Sequence, residues 1–165
     1  KTFLESLVLA PLSPKELQVI SEEKFIWRFL NAEESFLDLK FTGKIIETND
    51  LLNLQNVKQN ITWLNLTDCR LNDDQLNYLR ELPNLTRLRI QKNPLITDSG
   101  IALLTGMENL SELNLYGTRV SDAAFSSFGR MKGLKKLFLW NTRVTQKGIS
   151  AFQAQHPNVE VIAGL

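Results

Sequence analysis

Residues 109–132, NLSELNLYGTRVSDAAFSSFGRMK, hold the pattern that decides the fold. Apolar or small side chains stand at Leu110, Leu113 and Leu115, then at Thr118, Val120, Phe125, Phe128 and Met131. The same pattern returns on both sides, starting at Ile61, Leu85, Leu110, Leu134 and Val159, with spacings of 24, 25, 24 and 25 residues. Leu113 and Leu115 lie two apart, as do Leu64 and Leu66, Leu88 and Ile90, and Leu137 and Leu139. A period of two sets these side chains on one face of a short strand. Farther on the spacing becomes three and four, as in Ile101, Leu104 and Met107, which is one face of a helix. Asn72, Thr97, Ser121 and Thr145 precede these helical stretches and are suited to accept a backbone N–H as N-caps. Asp73, Asp98 and Asp122 follow, or fall just after, the cap positions, where a negative charge suits the helix N-terminus.

A fixed period of this size with an L-x-x-L-x-L core marks a leucine-rich repeat. One unit buries too few side chains to offset the entropy of ordering its backbone, so neighbours must stack. The expected fold class is α/β: a right-handed solenoid with a parallel sheet on the concave side and helices on the convex side. About five repeats and two terminal caps are expected. Eight residues after the repeat starts come Cys69, Asn93, Thr118 and Thr142, each able to bond the turn backbone from a buried position.

The 165 residues are expected to form a single leucine-rich repeat domain. Residues 1–35 read as an N-terminal cap or half repeat, and 36–60 as a degenerate repeat whose strand carries Phe36, Leu39 and Phe41. Residues 61–158 are four clear repeats, and 159–165 a closing strand. Within the cap, residues 1–13 read as a poorly ordered lead-in apolar enough to dock. Ser13-Pro14 opens a helix with Leu17, Val19 and Ile20 on its buried side, and residues 24–29 (KFIWRF) form the strand that starts the sheet. The chain begins at Lys1 rather than Met, as expected of a piece of a longer or processed protein. Net charge is +1, which leaves no electrostatic footprint for nucleic acid. No run of about 18 apolar residues and no signal peptide occurs, so no membrane insertion by this domain is expected.

The phrases LSELNLYGTRVSDAA at 110–124 and LKKLFLWNTRVTQKG at 134–148 resemble the repeats of F-box adaptor proteins. A closer resemblance is to repeat arrays in envelope proteins of Planctomycetes and Bacteroidetes. It is carried by APLSPKELQVISEEKF at 10–25, LFLWNTRVTQKG at 137–148 and HPNVEVIAG at 156–164. It implies the C-terminal domain of a larger bacterial membrane protein, extracytoplasmic in the periplasm or envelope, often behind a c-type cytochrome domain. The sequence has no C-x-x-C-H haem attachment motif, so any haem would belong to another part.

Between the core leucines, alternate strand residues point to the concave face. Three columns result: Asp38, Trp63, Arg87, Glu112 and Lys136; Lys40, Asn65, Arg89, Asn114 and Phe138; Thr42, Thr67, Gln91, Tyr116 and Trp140. Aromatic residues and arginine are the types enriched in binding hot spots. Trp63, Arg87, Arg89, Tyr116, Phe138 and Trp140 are therefore the expected binding surface for a protein partner, or for other domains of the same chain. Catalysis is not expected. His156, the single histidine, reads as an exposed loop residue with neither nucleophile nor orienting partner indicated. Cys69 reads as buried and inert, and Asp68, Asp73 and Asp74 as a cap and a solvated turn without a calcium-loop pattern. No cofactor or metal is expected. Asn60, Asn65, Asn84 and Asn109 begin N-x-[ST] sequons, explained by repetition of the Asn-Leu-[ST] phrase without glycosylation. The expected function is a non-catalytic protein–protein interaction module. An intracellular F-box-like substrate adaptor and a structural spacer of a redox protein are the alternatives.

Overall fold

A computed structural model describes residues 3–21 and 24–164. Seven strands stack in sequence order into one sheet. They are β1 (Phe25–Phe29), β2 (Leu37–Phe41), β3 (Ile61–Asn65), β4 (Arg87–Arg89), β5 (Glu112–Asn114), β6 (Lys136–Phe138) and β7 (Glu160–Ile162). Helices α1 (Pro14–Ser21), α2 (Thr48–Asn53), α3 (Leu76–Leu79), α4 (Asp98–Leu103), α5 (Phe125–Phe128) and α6 (Gln146–Gln155) lie outside the sheet. The middle helices are barely a turn long and lean on 3-10 turns such as Leu54–Val57 and Asp122–Ala124.

From β2 to β7 every pairing is parallel, and Leu39, Leu64, Leu88, Leu113, Leu137 and Val161 fall in one row. The first five of these leucines are buried. The expected all-parallel sheet is corrected at its start, because β1 pairs antiparallel with β2, Phe25 opposite Phe41 and Phe29 opposite Leu37. The reason is chain length. Residues 30–36 connect the two strands, enough for a hairpin turn but too short for the crossover that parallel strands need.

The degenerate repeat also shifts by a residue. Leu37, Leu39 and Phe41 face the core, whereas Phe36 is only half-buried. Leu37 pairs with Ile61 and Asp38 with Trp63, so Thr62 is the extra residue of a bulge. In α1, Ile20 is buried and Leu17 packs on the core, but Val19 is exposed, one position off the i, i+3 stripe. The Ser13 cap is present. Its hydroxyl and N–H both donate to Glu16 Oε2, at 2.6 and 2.8 Å, and the Glu16 N–H donates to the hydroxyl at 3.3 Å.

Over the described residues 3–13 the lead-in lies against the start of the stack. It turns once at Leu4–Ser6, accepts a bond at Ala10 O from Asn60 Nδ2, and donates Leu12 N–H to Glu34 O. Leu4, Leu7 and Leu9 wall an apolar hollow of about 630 Å³ with Phe36 and Trp63.

Three ladders of polar side chains and one buried asparagine join neighbouring repeats along the stack. Asn60, Asn84 and Asn109 donate Nδ2 to Ser35 O, Gln59 O and Pro83 O, at 2.9, 2.7 and 2.9 Å. Thr86 and Ser111 donate their hydroxyls to Thr62 O and Thr86 O. Asn93 Oδ1 accepts from the N–H groups of Cys69 and Leu71, and its Nδ2 donates to Leu66 O and Ile90 O. On the helical side, Asp73, Asp98 and Asp122 each hold the N–H and hydroxyl of the next cap, Thr97, Ser121 and Thr145. These carboxylates thus do more than sit at a helix N-terminus: they join one repeat to the next. A Cβ at Gly100 or Gly148 would meet the Asp73 or Asp122 carboxylate, so these two glycines leave room for it.

Candidate functional site

The sheet face away from the helices carries the side chains between the core leucines. Pairing sets Asp38, Trp63, Arg87, Glu112, Lys136 and Glu160 in one row, and Lys40, Asn65, Arg89, Asn114, Phe138 and Ile162 in the next. The strands that position them are only three to five residues long, and β2 to β6 are each pinned by a buried leucine.

The first row is largely satisfied within itself. Arg28 Nε lies 2.8 Å from Asp38 Oδ2. The Arg87 guanidinium sits over the Trp63 ring, 4.0 Å from its centroid, and Nε lies 3.0 Å from Glu112 Oε2. Lys136 Nζ lies 3.0 Å from Glu160. Trp63 and Arg87 are thus brought together with each other. The other edge of Trp63 borders the apolar hollow beneath the lead-in.

The remaining candidates are more available. Arg89 has a distant counter-ion, with Nη2 3.9 Å from Glu112 Oε1, and its side chain is 44% exposed. Trp140 is 50% exposed, and Tyr116 and Phe138 are half-buried. Among the described ring pairs, none joins Tyr116, Phe138 and Trp140. They neighbour one another in the rows without packing into a closed cluster. Trp140 also covers backbone after β7: a Cβ at Gly164 would stand 3.3 Å from the indole. Arg28, Lys40 and Asn65 belong to this surface too, and bound a small hollow of about 240 Å³ with Arg87 and Arg89. Arg28 is absent from the three sequence columns because β1 reaches the face by the antiparallel pairing, which the repeat pattern does not encode.

Other chemistry-bearing residues have structural settings. Cys69 is fully buried, its thiol donates to Leu66 O at 3.2 Å, and burial pushes its pKa up to about 11. His156 is half-buried rather than exposed, and stacks on Phe152 with centroids 4.7 Å apart. Its backbone N–H closes α6 by donating to Phe152 O. Among the described residues no three His, Cys, Asp or Glu side chains gather where they could hold a metal ion.

The fold is α/β and leucine-rich-repeat-like. It is similar to the crystal structure of an internalin (inlF) from Listeria monocytogenes, with a TM-score of 0.54 and 21% sequence identity. The similarity covers 70% of this chain and 31% of that one, so this chain spans under a third of the internalin's length. No family model and no curated protein matches the sequence.

Proposed function

We propose that this chain is a non-catalytic protein-interaction module that receives its partner on the concave face of the sheet. The observation that carries this reading is Trp140, half exposed beside Phe138 and Tyr116 at the C-terminal end of a face whose first row pairs within itself. Large aromatics left accessible among satisfied polar groups are the arrangement of an interface core. The likeness in fold to an internalin agrees with a role in protein recognition. The architecture we propose is a right-handed solenoid of about five repeats in a single domain over residues 1–165, capped by 1–35 and closed by 159–165. Right-handed crossover between parallel strands is the general rule.

The cellular setting we propose is extracytoplasmic, as the C-terminal part of a larger bacterial envelope protein. It rests on the sequence resemblance of residues 10–25, 137–148 and 156–164. No helix of the described residues is long and apolar enough to cross a membrane, so any anchor in this reading lies elsewhere.

A second reading, a spacer packed against other domains of its own chain, is favoured by one contact: Trp140 lies on Gly164 and so has packing work of its own. A paired pull-down from bacterial envelope extract separates the two. The baits are the domain and its Tyr116→Ala/Phe138→Ala/Trp140→Ala variant, matched in circular dichroism. Capture by the parent alone supports the interaction module. Equal capture removes the concave aromatics from it, and a variant that no longer folds favours packing.

A further inference from the structure

The second row of the open face runs Lys40, Asn65, Arg89, Asn114 and Phe138 across five consecutive strands. Its polar members all present donors. Asn65 Oδ1 accepts from the Thr67 N–H and hydroxyl, and Asn114 Oδ1 accepts from the Tyr116 N–H. Each amide is therefore oriented with its NH₂ as the free end. Lys40 is exposed and in no ion pair among the described residues, and Arg89 has only the 3.9 Å contact already given.

Charge on this part of the face is unbalanced. Arg28, Lys40, Arg87 and Arg89 stand against two carboxylates, Asp38 and Glu112, which Arg28 and Arg87 already engage. Among the described residues of this part of the face a surplus of two positive charges faces solvent, although the whole chain carries only +1. The surplus is local and ends at aromatics, where the next cation, Lys136, lies 6.0 Å from the Phe138 ring centroid and is paired with Glu160, so it fits a short acidic stretch better than a polyphosphate backbone.

Building on the proposed role of this face, we infer that it recognises an acidic, extended protein segment lying across the strands. A carboxylate sits between Lys40 and Arg89, and an apolar side chain sits on Phe138 and Trp140. A carboxylate between Lys40 and Arg89 sits over β3; strands are spaced by about 4.8 Å, which puts Phe138, three strands farther on, about 14 Å away. An extended segment rises about 3.3 Å per residue, so the acidic and apolar residues stand about four positions apart. The Asn114 amide, between them, meets a backbone carbonyl of the segment.

The test uses immobilised domain and four soluble polymers: a glutamate–tyrosine copolymer, polyglutamate, a lysine–tyrosine copolymer and heparin. The glutamate–tyrosine copolymer binds the parent most tightly, and Lys40→Gln/Arg89→Gln weakens it about tenfold and flattens its salt dependence. Both residues are exposed, and circular dichroism confirms that the variant is folded. No binding of the glutamate–tyrosine copolymer by the parent, or equal binding by the variant, overturns the inference. Heparin bound as tightly as the copolymer also overturns it, in favour of a general polyanion surface. Preference for the lysine–tyrosine copolymer, lost in Phe138→Ala/Trp140→Ala, sinks the acidic segment but keeps the concave interaction site. If neither variant alters any binding, both readings fall.

Discussion

Asp98 and Ser121, 23 residues apart, are joined by two hydrogen bonds: the Ser121 N–H donates to Oδ1 at 2.7 Å and its hydroxyl to Oδ2 at 2.6 Å. Ser121 Oγ in turn accepts from the Ala123 N–H, so a cap in one repeat is fixed by the acid of the repeat before it. Hydrogen bonds to charged groups contribute about 1.5–3 kcal/mol. Asp98→Ala lowers unfolding free energy by about 2 kcal/mol, discounted for partial exposure. Asp98→Ser at the same site recovers little, since the hydroxyl is uncharged and lies one bond nearer the backbone than the carboxylate oxygens. Urea titration at neutral pH checks both.

Asn93 carries the largest single polar load. It is fully buried and satisfies two N–H groups and at least two carbonyls in two turns. Asn93→Ala strands these groups and costs on the order of 3 kcal/mol or more. Asn93→Thr retains the carbonyl bond that Thr118 makes to Leu115 O, but not the bonds back to Cys69 and Leu71. It therefore falls between parent and Ala in midpoint.

Cys69 ionises against its surroundings. Burial raises the folded thiol pKa to about 11, above the value of 9.0 for an ordinary thiol. Between those values the unfolded chain gives up its proton while the folded chain keeps it. Stability is unaffected below about pH 9 and falls as pH rises toward 11, by roughly 2 kcal/mol in all. Cys69→Ala flattens that part of the curve; comparing the two pH–stability profiles isolates the thiol from lysine and tyrosine titration. At pH 8 an aromatic disulfide reagent labels Cys69 only at the rate of opening, and quickly in urea.

Trp140 dominates quenching of tryptophan fluorescence by acrylamide. It is the exposed one of the three tryptophans, Trp27 and Trp63 being half-buried. Trp140→Phe loses the strongly quenched component, and the remaining emission shifts to the blue. An unchanged quenching slope removes the accessible indole on which the proposed interface rests.

The apolar skeleton was legible because the repeat states each core position five times. Leu64, Leu88, Leu113 and Leu137 fell in one row, as their spacing required. The surface rows followed from the alternation of those strands. What the sequence hid was relational. The antiparallel β1 depends on the length of the connection after it, and the bulge at Thr62 shifts the start of β2 from Phe36 to Leu37. Asp73, Asp98 and Asp122 looked like local helix charges because their partners lie about one repeat away. The sequon asparagines Asn60, Asn84 and Asn109 likewise matched a local motif while serving carbonyls of the preceding unit. Trp63 and Arg87 pair across adjacent strands, but adjacency alone did not show that they would stack on each other.

The reversed first strand gives the array a direction in its ancestry. A duplicated segment of one repeat, inserted among the repeats of β3 to β5, meets the same rows of leucine, asparagine and aspartate on both sides and can be absorbed without redesign. Ahead of β2 it would meet a strand running the other way, with its donors and acceptors out of step. Lengthening by duplication is therefore open along the body of the stack and barred at the hairpin. Relatives that differ in repeat number are expected to share β1 and its turn and to vary beyond them.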